Sequence, residues 1–325
     1  MSLRDRFLHQ YTEVSEEQAE RLQTLENTWY PVEVFPPHDG DVPPTIENFV
    51  RGILELAAPR FGLKNTSPVT AFEIRRSTPD TLQLQYVAPT KRLERKVRTQ
   101  LAEEVPGVSF DTGINGLPVI PGDSVGGGIL TTGRQDWFPL ATEFSSPPVN
   151  ALAALLHRHA MQDTRFVIQV LFKPIAGRSL RNWRWRRQAY QHRNYLKKEK
   201  TRLWGSLKPT RREKRQAHAV DDKTGNTRFW TCIRFLVVGA GENTLSRVKE
   251  LAGGFNRFEN PETGQYINTE SVTPFREHLI LDFCRAVAER EFGGWSQKFR
   301  TTTQELAGLV SIPNRNQSNI QHAQP

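Results

Sequence analysis

Two apolar runs, Thr164 to Phe172 and Arg228 to Val238, constrain this chain more than any other feature. In the first, Phe166, Ile168, Val170 and Phe172 alternate with Val167 and Leu171, so both faces are apolar, and the second run is equally apolar. Strands of that kind belong inside a sheet that is covered on both sides. No turn joins them; residues 175–226, rich in Lys and Arg, lie between. Two strands that pair bring the ends of such an insertion together. The sequence therefore predicts a charged helical arm that leaves the sheet at a hairpin without disturbing its core.

The elements around this pair occur twice in the same order. The later set is a strand over Trp137 to Phe144, a helix over Val149 to Ala160, the two long strands, a helix with Leu245, Val248, Leu251, Ala252 and Phe255, and a short strand near Gln265 to Ile267. The earlier set opens with a strand at Pro31 to Phe35. A helix announced by Thr45 follows, with Ile46, Phe49, Val50, Ile53, Leu54 and Ala57 at helical spacing. Phe72 and Ile74, then Leu82, Leu84 and Tyr86, have period two about the turn Ser77 to Asp80 and read as a hairpin. A helix with Leu93, Val97, Leu101 and Val105 and a strand at Val108 to Phe110 complete the set.

Each set is βαββαβ, the split βαβ order of ferredoxin-like folds. The expected fold class is α+β: two tandem ferredoxin-like units, a long basic helical insertion in the second, and C-terminal helices. The expected boundaries are an N-terminal helical segment 1–30, a first unit 31–112, a Gly/Pro-rich connection 113–136, a second unit 137–270 with the insertion at 175–226, and C-terminal helices and linker 271–325. In that tail Thr273-Pro274 opens a helix carrying Phe275, Leu279, Ile280, Phe283 and Val287. Thr302 with Glu305 forms a capping-box pattern for a helix over Gln304 to Val310.

Residues 178–215 hold fifteen Lys or Arg against Glu199 and Glu213, a local charge of +13 in a chain whose formal net charge is +9, which leaves 9 − 13 = −4 elsewhere. The expected contact residues are Arg181, Trp183, Arg184, Trp185, Arg186, Arg187, Tyr190, Arg193, Lys197, Lys198, Lys200, Arg202, Trp204, Arg211, Arg212, Lys214 and Arg215. Such cations neutralise phosphates and release counterions, while aromatic rings stack on bases. The same composition suits an anionic membrane surface or an acidic partner protein, and a solvated helix face is the plain alternative.

At 325 residues the chain has room for two ordinary domains. Cys232 and Cys284 lie far apart with no CxxC spacing, which points to a reducing compartment rather than a disulfide framework or zinc ribbon. No apolar run approaches the roughly 18 to 20 residues of a membrane span, and MSLRDRFLHQ lacks the apolar centre of a signal peptide. The expected location is the cytoplasm, peripheral to the inner membrane face if the arm meets lipid.

The strand FVIQVLFKP (Phe166 to Pro174), the long charged insertion and the strand WTCIRFLVVG come first. LAGGFNRF (Ala252 to Phe258 within it) and the run from Glu305 through Pro313 follow. Together this order resembles the region upstream of the motor in conjugative-transfer and type IV secretion ATPases of the HerA-FtsK superfamily, most of all their archaeal members. The resemblance covers about residues 137 to 325. It implies DNA, a P-loop motor ATPase and further copies of the chain as partners, because motors of that class work as rings.

The chain departs from that family at the motor itself, since no G-x-x-x-x-G-K-[ST] run occurs. Val238 to Thr244 and Ser124 to Gly128 are the nearest glycine loops. The first has Thr244 where a third Gly is needed and reads as a tight βα turn. His157 and His159 are two apart and point to different sides of a helix. His278, Asp282 and Glu289 read as solvated helix surface, as do Glu16, Glu17 and Glu20. No catalytic residue, metal ligand or cofactor is assigned. The expected function is a non-catalytic accessory or assembly module of a DNA-translocating machine. The alternative is a stand-alone nucleic-acid-binding protein on a ferredoxin-like scaffold, but no strand shows the exposed aromatic pattern of RNA-recognition modules.

Overall fold

The structure, a computed structural model, describes residues 8–38, 42–59, 64–78, 81–155, 164–202, 205–314 and 320. Its first elements are β1 (Thr12–Glu13), α1 (Glu16–Gln23), β2 (Tyr30–Phe35), α2 (Glu47–Gly52), β3 (Thr70–Thr78), β4 (Thr81–Ala88), α3 (Lys91–Glu104) and β5 (Ser109–Thr112). Next come β6 (Ser124–Thr132), α4 (Val149–Leu155), β7 (Arg165–Pro174), α5 (Leu180–Lys197), β8 (Lys200–Arg202), β9 (Gly205–Leu207) and α6 (Arg211–Gly225). The chain ends with β10 (Arg228–Val238), α7 (Thr244–Gly253), β11 (Ile267–Ser271), α8 (His278–Ala288), β12 (Phe299–Thr302) and α9 (Thr303–Leu309).

Ten strands form one sheet in the order β1-β6-β10-β7-β3-β4-β2-β5, with β11 also on β6 and β12 also on β10. Every adjacent pair is antiparallel. The long pair β7 and β10 runs in register from Phe229 opposite Pro174 to Val238 opposite Arg165, so the basic insertion does leave the sheet at a hairpin. Within the first half the order is β5-β2-β4-β3, and within the second β11-β6-β10-β7. In each half the first strand lies between the third and the fourth. The halves join through β3 and β7, from Thr70 opposite Phe172 to Arg76 opposite Phe166. The chain is thus a mixed α/β protein with one large antiparallel sheet and, among the described residues, nine α-helices.

The first strand of the second half is not where the pattern put it. Trp137 to Phe144 forms no strand, because its backbone groups are taken by side chains and by a neighbouring loop. Leu140 N donates to Glu305 Oε1 at 2.7 Å and Ala141 N to the Phe258 carbonyl, while Gln265 Nε2 donates to the Phe138 carbonyl. The strand is β6, drawn from the expected connection 113–136. Its Gly126-Gly127-Gly128 run reads as a linker but is a packing requirement. A Cβ on Gly127 would lie 2.1 Å from the Phe235 carbonyl oxygen, and one on Gly128 would lie 2.5 Å from Val248 of α7. Glycine in a strand marks such close approaches.

Smaller corrections follow the same logic. Helix α2 stops at Gly52, which sits against Gln100 of α3, so Ile53, Leu54 and Ala57 lie beyond it. β11 begins at Ile267. α8 begins at His278, leaving Phe275 exposed rather than on an apolar stripe. The expected helix over Val149 to Ala160 is described only to Leu155, and Pro79 and Asp80 of the expected turn also lie outside the described residues. At α9 the capping box forms: Thr302 N donates to Glu305 Oε2 at 2.6 Å and Glu305 N to Thr302 Oγ1 at 3.2 Å.

Both sheet faces are covered, as the two-sided apolar strands require. One face carries Phe72, Ile74, Phe166, Ile168, Val170, Ile233 and Phe235 in a core shared with residues of α2, α3, α4, α7 and α9. The opposite face packs Val167, Leu236 and Val238 against residues of α1 and α8. At its centre, where the halves meet, that face holds a buried polar seam instead. Glu73 accepts from Arg290 Nε at 2.9 Å, Arg75 Nη1 at 3.2 Å, Gln85 at 2.7 Å and Gln169 at 2.8 Å. Arg75 also donates to the Ile114 and Gly116 carbonyls, and Arg234 to Gln169 and to the Ala286 and Glu291 carbonyls. Most of the seam's guanidinium N–H groups thereby find acceptors, Arg75 Nε being an exception among the described residues.

Candidate polyanion interface

The basic insertion folds because each helix has its own start signal. Ser179 Oγ accepts from Asn182 N to open α5, and Thr210 with Glu213 forms a reciprocal capping box at α6. The two helices close on Ala189, Leu196, Ala217 and Val220, joined by Phe138 from the sheet-side loop. The ribbon of β8 and β9 forms the connection between them. The expected helical hairpin is therefore present, with its root anchored to the sheet-side loop.

The cations divide into two groups. Arg193 and Lys197 share Asp221, the latter at 2.9 Å; Lys200 pairs with Glu213, and Arg215 with Glu262 at 2.8 Å. The hydrogen bond from Lys200, followed by those from Thr210, holds Glu213 at about 2. Burial would raise Asp221, but the hydrogen bonds from Lys197 and Arg193 bring it below its ordinary value. Arg184, Lys198, Arg211, Arg212 and Lys214 are exposed and have no carboxylate partner among the described residues. Arg187 lies over the Trp183 ring at 5.4 Å, and Arg186 donates to the Thr224 carbonyl at 3.4 Å.

The aromatic residues divide as well. Trp183 and Tyr195 are more than half exposed, and Tyr190 is exposed beside them. Trp185, expected as a contact residue, is buried: its Nε1 donates to Asp136 Oδ1 at 2.5 Å, and Arg228 and Arg300 lie over its ring at 4.6 and 4.7 Å. It fastens α5 to the sheet. Arg202 belongs to β8, but its side chain and Trp204 lie outside the described residues. Arg228, Trp230 and Arg300, which the sequence reading passed over, stand at this root. The available signal was an Arg opening an otherwise apolar strand.

The other motifs have structural roles. The Gly239 and Gly241 amides of the loop after β10 donate to the Ser124 carbonyl and Oγ, so the turn's donors are spent internally. Glu289 is not solvated surface: it is buried and accepts from the amides of Glu26 and Asn27 and from Asn27 Nδ2, because α8 packs on the segment after α1. Glu16, Glu17 and Glu20 are exposed. His157 and His159 lie outside the described residues, among which no cluster of metal-ligating side chains occurs. No described helix is long and apolar enough to cross a membrane.

The arm and sheet together define a mixed α/β protein that carries a cationic, aromatic helical hairpin on a two-sided antiparallel sheet. Over residues 4–325 the chain matches the family described as a domain of unknown function (DUF8128), and it belongs to that family. A comparison with curated proteins finds no match.

Proposed function

We propose that this chain is a non-catalytic accessory and assembly module of a DNA-translocating machine of the conjugation or type IV secretion kind, and that its arm contacts DNA. One observation carries this reading: Arg184, Lys198, Arg211, Arg212 and Lys214 are exposed without a carboxylate partner among the described residues, on the same helical hairpin as the exposed Trp183, Tyr190 and Tyr195. Unneutralised cations on one hairpin with exposed rings, each of which already carries a cation over one face, suit a nucleic-acid strand, whose phosphates and bases they engage together. The resemblance of residues 137–325 to the region upstream of HerA-FtsK motors supports the same role. It brings a separate P-loop motor, a ring of copies and the inner membrane face as partners.

The scaffold reads as two tandem ferredoxin-like units, supported by the strand orders β5-β2-β4-β3 and β11-β6-β10-β7 and by the antiparallel pairing throughout. The stand-alone RNA-recognition reading needs an open sheet face, whereas Phe72, Phe166, Phe172 and Phe235 are buried. The test is binding of duplex DNA, single-stranded DNA and anionic vesicles across a salt series, with a variant carrying Gln at Arg184, Lys198, Arg211 and Lys214. Four lost phosphate contacts should flatten the duplex salt slope by about 3 to 4. Unchanged DNA binding in that variant, or vesicle binding alone, refutes the DNA contact.

A further inference from the structure

The root of the arm holds a concentration of positive charge that its packing does not explain. Trp230 stands directly opposite both Arg300 and Lys173 in the sheet, so the three side chains leave from one face, and Arg228 shares it two residues along the strand. Helix α5 lays Arg181, Trp185 and Arg186 over this row. The Arg300 guanidinium lies 4.0 Å from the Trp230 ring centre and 4.7 Å from that of Trp185; Arg228 is 4.6 Å from Trp185, and Arg181 is 5.1 Å from Trp230. Asp136 is the carboxylate here, accepting from Arg300 N and Nη1 at 2.9 and 3.1 Å as well as from Trp185.

The cations outnumber that carboxylate, and some of their N–H groups are left without acceptors among the described residues. Arg228 is 6 % exposed, yet its Nε and Nη1 have no acceptor among the described residues, and neither does Arg300 Nε. Burial, then the charges of Arg186 and Arg300, pull Arg228 down to about 10. Lys298 and Lys173 are lowered by burial and by neighbouring cations, Arg181 beside the first and Lys298 beside the second. At the Glu73 seam each buried Arg has at least one carboxylate, side-chain amide or carbonyl acceptor and only Arg75 Nε is left over among the described residues, whereas neither Nε nor Nη1 of Arg228 has one. Buried guanidinium N–H groups without acceptors are costly. A guanidinium fork held over an indole ring has its freedom restricted, and such a fork can grip a phosphate through two oxygens.

We propose that Arg228, Arg300 and Arg181, held on the Trp185 and Trp230 rings, form a phosphate-recognition site that takes a phosphate group of a nucleic-acid backbone. The site rests on the reading of the arm as a DNA contact and gives that contact a fixed anchor. Trp183 and Arg184 stand on α5 within one turn of Trp185, so the exposed part of the arm and the site are close along the helix. Lys173, Arg186 and Lys298 supply the surrounding charge.

The full chain should be compared with Arg228→Gln and with the arm variant carrying Gln at Arg184, Lys198, Arg211 and Lys214. Three probes are used: inorganic phosphate, against chloride at equal ionic strength; a labelled single-stranded oligonucleotide; and polyglutamate, a polyanion without phosphate. Phosphate is expected to raise the Tm of the wild type and of the arm variant but not of Arg228→Gln. Without phosphate, Arg228→Gln is expected to be at least as stable as the wild type, because a like charge is removed. Oligonucleotide affinity should fall about tenfold in Arg228→Gln. If Arg228→Gln does not fold, Arg228→Lys replaces it, keeping charge and losing the fork, with the same loss of phosphate response expected. Oligonucleotide binding that is lost in the arm variant but unchanged in the root variant overturns the site and leaves the arm reading standing. A wild type that ignores the oligonucleotide overturns the arm reading; a phosphate response lost in Arg228→Gln would then assign the site to free phosphate and overturn its nucleic-acid source. Stabilisation by polyglutamate with no response to phosphate also overturns the proposal.

Discussion

Replacing Lys223 with Met should unfold the chain several degrees sooner, for a reason that can be worked from three distances. Lys223 Nζ lies 2.7 Å from Glu305 Oε1 and both side chains are fully buried; the carboxylate also accepts from Leu140 N at 2.7 Å and Thr302 N at 2.6 Å. Without the ammonium, two amides face a buried negative charge that they only partly offset. Breaking such a pair from one side costs about 3–5 kcal/mol. At about 2.1 cal/mol/K per residue, the 325-residue chain has an unfolding entropy near 0.7 kcal/mol/K, so the Tm should fall by about 4–7 °C. Scanning calorimetry reads this directly. Lys223→Met combined with Glu305→Gln should recover part of the loss, since Gln is neutral, although its single carbonyl oxygen keeps only one of the two amide bonds and its NH2 faces the other. A single variant with wild-type Tm, or a double variant no better than the single, would refute the reasoning. The pair ties α6 of the arm to α9 and, through Leu140, to the loop that displaced the expected strand.

Burial raises Glu73, but Arg290, Arg75 and the hydrogen bonds around it bring it to about 2, below its ordinary 4.5. The unfolded chain therefore takes this proton first. The contribution of Glu73 to stability is complete above about pH 4.5 and is lost as the pH falls toward 2, a slope that Glu73→Gln should flatten in urea unfolding measured across that range. Equal slopes in the two proteins would show that the seam is not what titrates. Gly127→Ala should destabilise by about 1–3 kcal/mol or more, because the new methyl meets a backbone carbonyl that cannot move aside; a neutral result in the same assay would mean that β6 and β10 can separate at no cost. The salt-slope and phosphate experiments complete the set.

Much of the chain was legible because periodic burial leaves a mark in the sequence. Phe166 to Phe172, Leu82 to Tyr86 and the Leu93, Val97, Leu101 stripe keep fixed faces toward fixed neighbours, so β7, β4 and α3 follow from spacing alone. Capping is equally local, as Thr302 with Glu305 shows. The local charge of the arm is likewise a sequence property.

Tertiary structure decided the rest, since the deciding partner lay far along the chain. Gly126 to Gly128 look like a linker until α7 and α8 press on them, and in the segment from Trp137 to Leu140 Phe138 is buried against the arm while Leu140 joins the main core, so the alternation does not mark a strand. Glu289, outward by helical spacing, is buried because the segment after α1 crosses it. Trp185 is indistinguishable from Trp183 in sequence, two positions away on one helix. The fold turns one to solvent and closes the other between Arg228 and Arg300, which stand 43 and 115 residues further on. Charge can be counted along a chain, but whether a cation finds a carboxylate depends on distances in space that only the folded sheet sets.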